Sequence, residues 1–141
     1  MPDTPVEGRP IDHVALVVSN LENSEKLYES LGFTRRYRET VDDQGVEIIG
    51  MRAGDSTIEL LHPIHADSPL VKFLGDKQSR LHHIAYRVKN IEVELARLRA
   101  QGTRLIDERP RRGAHGNLIA FVHPSAAGDV LIEVCQPGGA A

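Results

Sequence analysis

The amino-acid sequence predicts an α+β fold in which two tandem βαβββ modules form one curved mixed sheet around a concave face. Three repeated features support this prediction. The apolar segment IDHVALVV at 11–18 returns as LHHIAYRV at 81–88, with a histidine at the same place in each copy. An asparagine suited to cap a helix follows each segment, and a glycine suited to end that helix comes next. The paired residues are His13 and His83, Asn20 and Asn90, and Gly32 and Gly102, each pair 70 positions apart.

The first module, at about 11–76, is predicted to place its strands and helices in the order strand, helix, three strands and a short extra helix. Alternating apolar and polar residues indicate the strands, while Ser68 as a cap and Pro69 at the first position indicate the extra helix. The predicted elements are a strand at about 11–18, a helix from Asn20 to about Leu31, strands at about 35–41, 45–53 and 56–62, and a helix near 69–75.

The second module, at about 81–136, repeats the order strand, helix and three strands. The predicted elements are a strand at about 81–88, a helix from Asn90 to about Gln101, and strands at about 104–108, 117–122 and 129–135. The Arg- and Gly-rich loop RPRRGAHG at 109–116 has no counterpart of equal length in the first module. Residues 1–10 are predicted to form a flexible leader and residues 137–141 a flexible tail, so 11–136 is a single domain.

Composition excludes several classes of function. Hydrophobic residues make up 40% and charged residues 26% of the 141 residues, which is typical of a soluble globular protein. The net charge of −3 and the absence of a basic run argue against nucleic acid as a partner. No apolar stretch approaches the roughly 20 residues needed to cross a bilayer, so no membrane partner is expected. A single cysteine, Cys135, and a start without an apolar signal core favour a cytoplasmic location.

Strand alternation directs four metal-binding side chains to one face of the predicted sheet. Each histidine is followed, later in its own module, by a glutamate within an apolar strand: Glu59 in TIELL and Glu133 in LIEV. Because successive side chains point to opposite faces, the apolar neighbours can pack on the helices while His13, His83 and the two glutamates point to the concave face. A lone histidine or glutamate in such a strand is usually structural, but the duplicated pairing favours a metal site.

Two imidazoles and two carboxylates suit Co²⁺, Zn²⁺, Mn²⁺, Ni²⁺ or Fe²⁺. Of the other histidines, His82 alternates away from His83 and is expected to pack or cap. His115 lies in the flexible sequence GAHG, which is able to close over a ligand. Substrate contacts are therefore expected at the four residues Gly113, Ala114, His115 and Gly116.

The same residues carry a family resemblance. The chain resembles the vicinal oxygen chelate superfamily, which has the glyoxalase and bleomycin-resistance fold, and within it the methylmalonyl-CoA epimerase family. The matching segments are IDHVAL (11–16), DQGVEI (43–48), IELLHP (58–63), DSPLVKFL (67–74), LHHIAYRV (81–88), GTRLIDERPRRGAHG (102–116), FVHP (121–124) and GDVLIEV (128–134). The combination of DSP-x-x-KFL, LHHIA and RRGAHG is specific to the epimerase branch, whereas IDH and IEV alone are typical of the whole superfamily.

The resemblance implies His13, Glu59, His83 and Glu133 as metal ligands, with Co²⁺ preferred and Zn²⁺, Mn²⁺ or Ni²⁺ as alternatives. It further implies Glu133 as the catalytic acid/base, an acyl-CoA substrate, and a homodimer, which is common in this fold class. The implied reaction interconverts (2R)- and (2S)-methylmalonyl-CoA by α-proton removal through an enolate. The sequence departs from one feature of the family, because Ile48 stands where some members carry a second catalytic carboxylate. The nearest acids are Asp43 and Glu47, and alternation turns Glu47 to the other face.

Two other functions are compatible with the fold. A glyoxalase-type lyase shares the four-ligand pattern and would act on a glutathione hemithioacetal. A metal-free module that binds a small molecule such as an antibiotic would not need the four ligands. An extradiol dioxygenase is disfavoured, because such enzymes use two histidines and one carboxylate around iron.

Overall fold

The computed structural model describes residues 8–128 and 130–138, which form an eight-stranded mixed sheet with three helices. Its elements are β1 (Ile11–Val18), α1 (Leu21–Ser30), β2 (Thr34–Val41), β3 (Val46–Ala53), β4 (Ser56–Pro63), α2 (Pro69–Leu74), β5 (Ser79–Arg87), α3 (Ile91–Ala100), β6 (Arg111–Arg112), β7 (Leu118–Val122) and β8 (Ile132–Gln136). Short 3₁₀ turns occupy Asp42–Gln44, Ala114–Gly116 and Pro124–Ala126. No helix within the described ranges is long and apolar enough to cross a membrane.

The strand order shows the predicted duplication directly. It is β2-β3-β4-β1-β5-β8-β7-β6, so each half contributes four neighbouring strands. The first strand of each half pairs in parallel with the last strand of the same half, β1 with β4 and β5 with β8. The two halves join through the antiparallel pair β1 and β5, in which His13 lies opposite Ala85 and His83 opposite Ala15. The α+β fold class and the curved mixed sheet are thus confirmed.

The capping residues behave as the sequence predicts. The side-chain oxygen of Asn20 accepts a hydrogen bond from the Asn23 backbone N–H at 2.9 Å, and that of Asn90 accepts one from Val93 at 3.1 Å. These bonds satisfy backbone donors that the first turn of a helix leaves unpaired. The glycine that follows each helix has a left-handed backbone, with φ of 100° at Gly32 and 84° at Gly102, where a Cβ would be strained.

The predicted strand at 104–108 is wrong as a regular strand. Only Leu105 forms an isolated bridge, opposite Val122. The side chain of Asp107 accepts the Phe121 N–H at 2.8 Å, so a carboxylate replaces the backbone carbonyl that a neighbouring strand would supply. The outer strand of this half is instead β6, two residues inside the predicted loop, which pairs with the start of β7. The strand predicted at 129–135 begins at Ile132, and residue 129 lies outside the described residues.

Each face of the sheet buries its own apolar cluster. On the helix face, the first half buries Val18, Leu21, Ile49, Met51 and Leu60, and the second buries Val88, Ile91, Leu95, Leu98, Leu105, Ala120, Val122 and Val134. On the concave face, a second set surrounds the histidines and includes Ala15, Val17, Val46, Ile48, Leu61, Leu74 and Ala114. Polar side chains that lie among these apolar residues on the concave face are therefore shielded from bulk water.

Several residues that flank the predicted domain contact residues within it. The backbone carbonyl of Pro10 accepts a hydrogen bond from the Arg87 N–H at 2.8 Å, and Arg9 forms an ion pair with Glu94 of α3 at 3.1 Å. At the other end, the Gly138 N–H donates to the Asn117 side chain at 3.0 Å. The rest of the predicted leader, 1–7, and of the tail, 139–141, lies outside the described residues.

Candidate metal centre

Two imidazoles and one carboxylate meet at the middle of the concave face. The Nε2 atoms of His13 and His83 lie 3.2 Å apart. Glu133 approaches both, with Oε2 3.1 Å from His13 Nε2 and Oε1 3.3 Å from His83 Nε2. All three side chains are buried. Because β1, β5 and β8 are neighbours in the sheet, residues far apart in the sequence bring their ligand atoms within 4.8 Å of one another.

Glu59 approaches this cluster from β4, on the other side of His13. Its Oε1 lies 3.6 Å from His13 Nε2, and its Oε2 accepts a 2.5 Å hydrogen bond from the Tyr37 hydroxyl. The Tyr37 ring lies directly over Gly50, where any Cβ would overlap the ring. Gly50 is the β3 residue paired with Glu59. Because Gly50 has no side chain, the Tyr37 ring can lie over it and donate its hydroxyl to Glu59.

A carboxylate holds the outer nitrogen of His13. Asp12 Oδ2 lies 2.7 Å from His13 Nδ1, and Asp12 Oδ1 accepts a 3.0 Å hydrogen bond from Arg87 Nε. Partial burial acts to raise the pKa of Asp12, but the hydrogen bonds from His13 and Arg87 lower it to about 2. Asp12 is therefore ionised and accepts the Nδ1–H of His13, which leaves the Nε2 lone pair facing the centre of the cluster.

The outer nitrogen of His83 is held by another histidine. His82 Nδ1 lies 2.8 Å from His83 Nδ1, and the His82 ring packs edge-on against Phe73 of α2. Burial lowers the pKa of both imidazoles. With both rings neutral, one Nδ1–H donates to the other Nδ1. A metal on His83 Nε2 requires the tautomer in which His83 is the donor and His82 the acceptor. His82 packs as predicted, but the prediction that it points away from His83 is wrong, because it contacts His83 and lines the same cavity. The register of β1 and β5 shifts at this residue, so simple alternation does not hold there.

The electrostatics of the cluster favour a positive charge at its centre. Burial acts to lower the pKa of His13, but the nearby Glu59 and the hydrogen bond with Asp12 hold it well above its usual value. Among the described residues, Glu133 Oε2 is the one buried side-chain oxygen or nitrogen without a hydrogen-bond partner. His13 Nε2 and Glu133 Oε2 lie 3.1 Å apart, so a positive charge is favoured between them: a proton on Nε2, or a metal cation that displaces this proton. The donor set therefore fits a divalent metal ion.

These groups open into a cavity of about 300 Å³. Its lining comprises His13, Asp43, Gln44, Val46, Ile48, Glu59, Leu61, Ser68, Pro69, Leu70, His82, His83, Arg111, Ala114, Asn117, Ile119, Phe121 and Glu133. A larger depression of about 980 Å³ at the start of α3 contains none of the four predicted ligands. We place the functional site in the smaller cavity, because the convergent donors and the unpartnered carboxylate oxygen lie there.

Ile48 and the neighbouring acid Glu47 lie on opposite faces of β3. Ile48 lines the cavity, whereas Glu47 faces the helix side and accepts hydrogen bonds from Arg38 at 2.8 and 2.6 Å. Arg38 also contacts Glu22 of α1 at 3.2 Å. The alternation predicted for this strand is therefore confirmed.

The loop predicted to contact a ligand lies partly at the cavity and partly behind it. Ala114 lines the cavity, and Gly113, His115 and Gly116 do not. The His115 ring stacks on Tyr37 with centroids 4.5 Å apart, and its backbone N–H donates to the Glu39 carboxylate. The φ of His115 is 57°, a left-handed conformation that is rare for a residue with a side chain.

Sequence reasoning missed three side chains around the centre: Asp12, Tyr37 and Asn117. Asp12 immediately precedes the ligand histidine in the IDH motif, and a carboxylate beside a metal-binding histidine is a common partner for its outer nitrogen. The position of Asp12 beside His13 in the sequence could therefore have identified this contact. The Tyr37 contact depends on the pairing of β2 with β3 and has no signal in the spacing along the chain.

Comparisons with known proteins agree with the fold. The sequence profile of the glyoxalase/bleomycin resistance protein/dioxygenase superfamily matches residues 12–121. A mitochondrial methylmalonyl-CoA epimerase from Bos taurus is 35% identical over 128 residues, which cover 89% of this chain and 73% of that protein. The crystal structure of methylmalonyl-CoA epimerase from Mycobacterium tuberculosis aligns with a TM-score of 0.88 and 32% identity, covering 97% of this chain and 95% of that one.

A second similar structure contains a ligand. It is a Streptomyces coelicolor methylmalonyl-CoA epimerase in complex with 2-nitronate-propionyl-CoA, with a TM-score of 0.86 and 29% identity. The alignment covers 93% of this chain and 99% of that one.

Proposed function

The chain belongs to the glyoxalase/bleomycin resistance protein/dioxygenase superfamily, and on that premise we propose that it is a metal-dependent epimerase that interconverts (2R)- and (2S)-methylmalonyl-CoA. One observation carries the proposal: a buried carboxylate oxygen without a hydrogen-bond partner, Glu133 Oε2, adjoins two imidazole nitrogens at the base of a cavity. The similarity to methylmalonyl-CoA epimerases extends over 89% of the chain, which supports the same substrate here.

In this proposal His13, Glu59, His83 and Glu133 hold one divalent ion, with Co²⁺ preferred over Zn²⁺, Mn²⁺ or Ni²⁺. The chemistry supplied by such an ion is Lewis-acid stabilisation of the negative charge that develops on the thioester oxygen. Asp12 and His82 orient the two imidazoles by accepting their outer N–H groups, while Tyr37 orients Glu59. These contacts hold the two imidazoles and Glu59 in place before the ion binds, so binding costs little free energy for ordering these side chains.

Glu133 is the proposed proton acceptor. Epimerisation requires that the α-proton leave one face of the substrate and that a proton return to the other, with an enolate between the two steps. Glu133 has two carboxylate oxygens, each facing one imidazole of the cluster, so in this proposal one oxygen holds the ion and the other takes up the proton. Glu133 is buried, and Ile119, Phe121 and Ala114 line the same cavity as apolar neighbours.

The proton that returns to the opposite face needs a second carrier. Glu47 does not qualify, because Arg38 holds it on the helix side of β3. The other carboxylates that line the cavity are Glu59, which comes from the opposite half of the fold, and Asp43 in the turn before β3. These two are the candidates for the second proton transfer.

Three further parts of the proposal concern the substrate contact, the oligomeric state and the location of the enzyme in the cell. Within the segment 113–116, Ala114 lines the cavity and is the proposed substrate contact, while the other three residues lie behind it. The enzyme is a homodimer, as is common in this fold class. It acts in the cytoplasm, where the free, buried Cys135 stays reduced.

Proton NMR in D₂O tests the proposed reaction. The protein loaded with Co²⁺ is incubated with (2R)-methylmalonyl-CoA, and the α-proton signal should disappear as the (2S) form appears. The glutathione hemithioacetal of methylglyoxal is the matched alternative substrate, because a lyase of the same fold would convert it. Retention of the α-proton would overturn the proposal, and turnover of the hemithioacetal would favour the lyase.

A further inference from the structure

A single basic side chain of the Lys/Arg type lines the metal cavity among the described residues, that of Arg111 in β6. The other charged groups on the wall, besides the histidines, are the carboxylates of Asp43, Glu59 and Glu133. An acyl-CoA carries several negative charges and would be repelled by these carboxylates. Among the described residues that line the cavity, Arg111 is therefore the one guanidinium or ammonium group that can attract the anionic part of such a substrate.

The position of Arg111 is set from two sides. Its Nε lies 3.2 Å from Asp107 Oδ1, and Asp107 is itself anchored because its other oxygen accepts the Phe121 N–H. The guanidinium also lies over the Phe121 ring, 5.4 Å from the centroid, as in a cation–π contact. The Phe121 ring in turn packs edge-on against His83 at 5.3 Å between centroids. Asp107 and Phe121 thus hold the guanidinium at a defined distance from the proposed metal ligand.

The contacts of Arg111 leave its outer edge available. Asp107 approaches the inner nitrogen, Nε, and no described residue accepts a hydrogen bond from either terminal nitrogen. The side chain is 47% exposed, which places it at the rim of the cavity, away from the buried Glu133. Two parallel N–H groups at the edge of a guanidinium match two oxygens of one phosphate group, and such paired bonds are stronger than neutral ones.

We propose that Arg111 binds a phosphate group of the coenzyme A portion of the substrate and thereby selects a coenzyme A thioester over a thioester without phosphates. This inference rests on the proposed epimerase function and names a residue for its substrate class. The acyl group lies inside, next to Glu133, and the coenzyme A portion leaves the cavity past the rim. Arg111 acts in binding and takes no part in the proton transfers.

The test compares two substrates and three variants of the metal-loaded protein. The substrates are methylmalonyl-CoA and methylmalonyl-pantetheine thioester, which lacks every phosphate. The variants are Arg111→Gln, Arg111→Lys and the matched control Arg112→Gln, whose exposed side chain is the next in sequence and does not line the cavity. Arg111→Gln should raise KM for methylmalonyl-CoA about tenfold, the size expected for losing a charge-assisted hydrogen bond, with kcat unchanged.

Three further results are expected. Arg111→Gln should leave KM for the pantetheine thioester unchanged, Arg111→Lys should restore part of the lost affinity, and Arg112→Gln should match the wild type. Calorimetry gives a readout independent of turnover: the Kd of propionyl-CoA should rise about tenfold in Arg111→Gln, and that of propionyl-pantetheine should not change.

Equal losses with both thioesters would overturn the phosphate assignment and point to the malonyl carboxylate instead. Unchanged KM and Kd in Arg111→Gln would overturn any role for Arg111 in substrate binding. Failure of the wild-type protein to convert either thioester would instead contradict the proposed epimerase function, so the two failures are distinguishable.

Discussion

The hydroxyl of Tyr37 donates a 2.5 Å hydrogen bond to Glu59 Oε2, and this bond ties the edge strand β2 to the centre of the concave face. The same tyrosine ring stacks on His115, which belongs to the second half of the fold. Burial raises the pKa of Tyr37, and the negative charge of Glu59 raises it further, so the hydroxyl stays a donor at every physiological pH. Tyr37 therefore links Glu59, a proposed metal ligand in the first half of the fold, to the loop that carries His115 in the second half.

Removing this hydroxyl should weaken metal binding. Tyr37→Phe keeps the ring that covers Gly50 and stacks on His115, but it leaves a buried carboxylate oxygen of Glu59 without its donor. Loss of an outer contact to a metal ligand typically costs roughly 10- to 100-fold in metal affinity, and we expect a loss in this range by competitive titration with Co²⁺. Tyr28→Phe is the control, because Tyr28 packs on Phe33 away from the cavity. Equal affinities in the two variants would contradict a role for the hydroxyl.

Bound metal should stabilise the fold through His83. A ligand that binds only the native state raises the melting temperature, so the wild-type Tm should increase when Co²⁺ is added to the metal-free protein. His83→Ala should lose this increase and contain far less than one metal ion per chain by elemental analysis. His65→Ala, which changes an exposed loop histidine, should behave as the wild type. Full metal occupancy in His83→Ala would rule out the assignment of this ligand.

Glu133 should matter to turnover more than to metal content. Glu133→Gln keeps an oxygen that can approach the metal but removes the base, so the rate of α-proton exchange should fall at least about a hundredfold, the low end for loss of general-base catalysis. Metal content should fall much less. Glu47→Gln is the control, since Arg38 holds Glu47 on the opposite face of the sheet. A comparable loss in Glu47→Gln would show that β3 presents its other face to the substrate.

Glu94 should make stability depend on pH. This buried glutamate of α3 accepts hydrogen bonds from Arg97 and Tyr86 at 2.8 and 2.6 Å. The hydrogen bond from Arg97 lowers its pKa, although burial acts to raise it. Since the folded-state pKa lies below the unfolded value of about 4.3, the stabilisation is present above that pH and is lost as the pH falls through the folded pKa.

Glu94→Gln should therefore lower the free energy of unfolding at pH 7 by roughly 1–3 kcal/mol, the cost of losing hydrogen bonds to a charged group. The difference from the wild type should shrink in urea titrations at pH values below about 4. Glu92→Gln, a change in the exposed first turn of the same helix, should stay within about 0.5 kcal/mol of the wild type. A constant difference across this pH range would contradict the role assigned to the ionised carboxylate.

Local rules predicted most of the fold correctly because the responsible contacts are short in sequence. Asn20 caps a helix through a residue three positions away, and Gly32 ends the same helix through its own backbone. The strand at 104–108 failed because Asp107 supplies a side-chain acceptor in place of a backbone one. That competition depends on where β7 lies, and nothing in the alternation of residues reports it.

The sequence by itself determined the duplication, the concave face and the four proposed ligands. The repeat of 70 residues is visible in the sequence, and strand alternation decides which side chains share a face. Only the tertiary structure decided what surrounds those ligands. Asp12 is next to His13 in the sequence and contacts it directly. Tyr37 contacts Glu59, and Arg111 lies at the cavity rim, only because strands that are distant in the chain pair in the sheet. Such contacts depend on the order and register of strands in the sheet, which the spacing of residues along a chain does not specify.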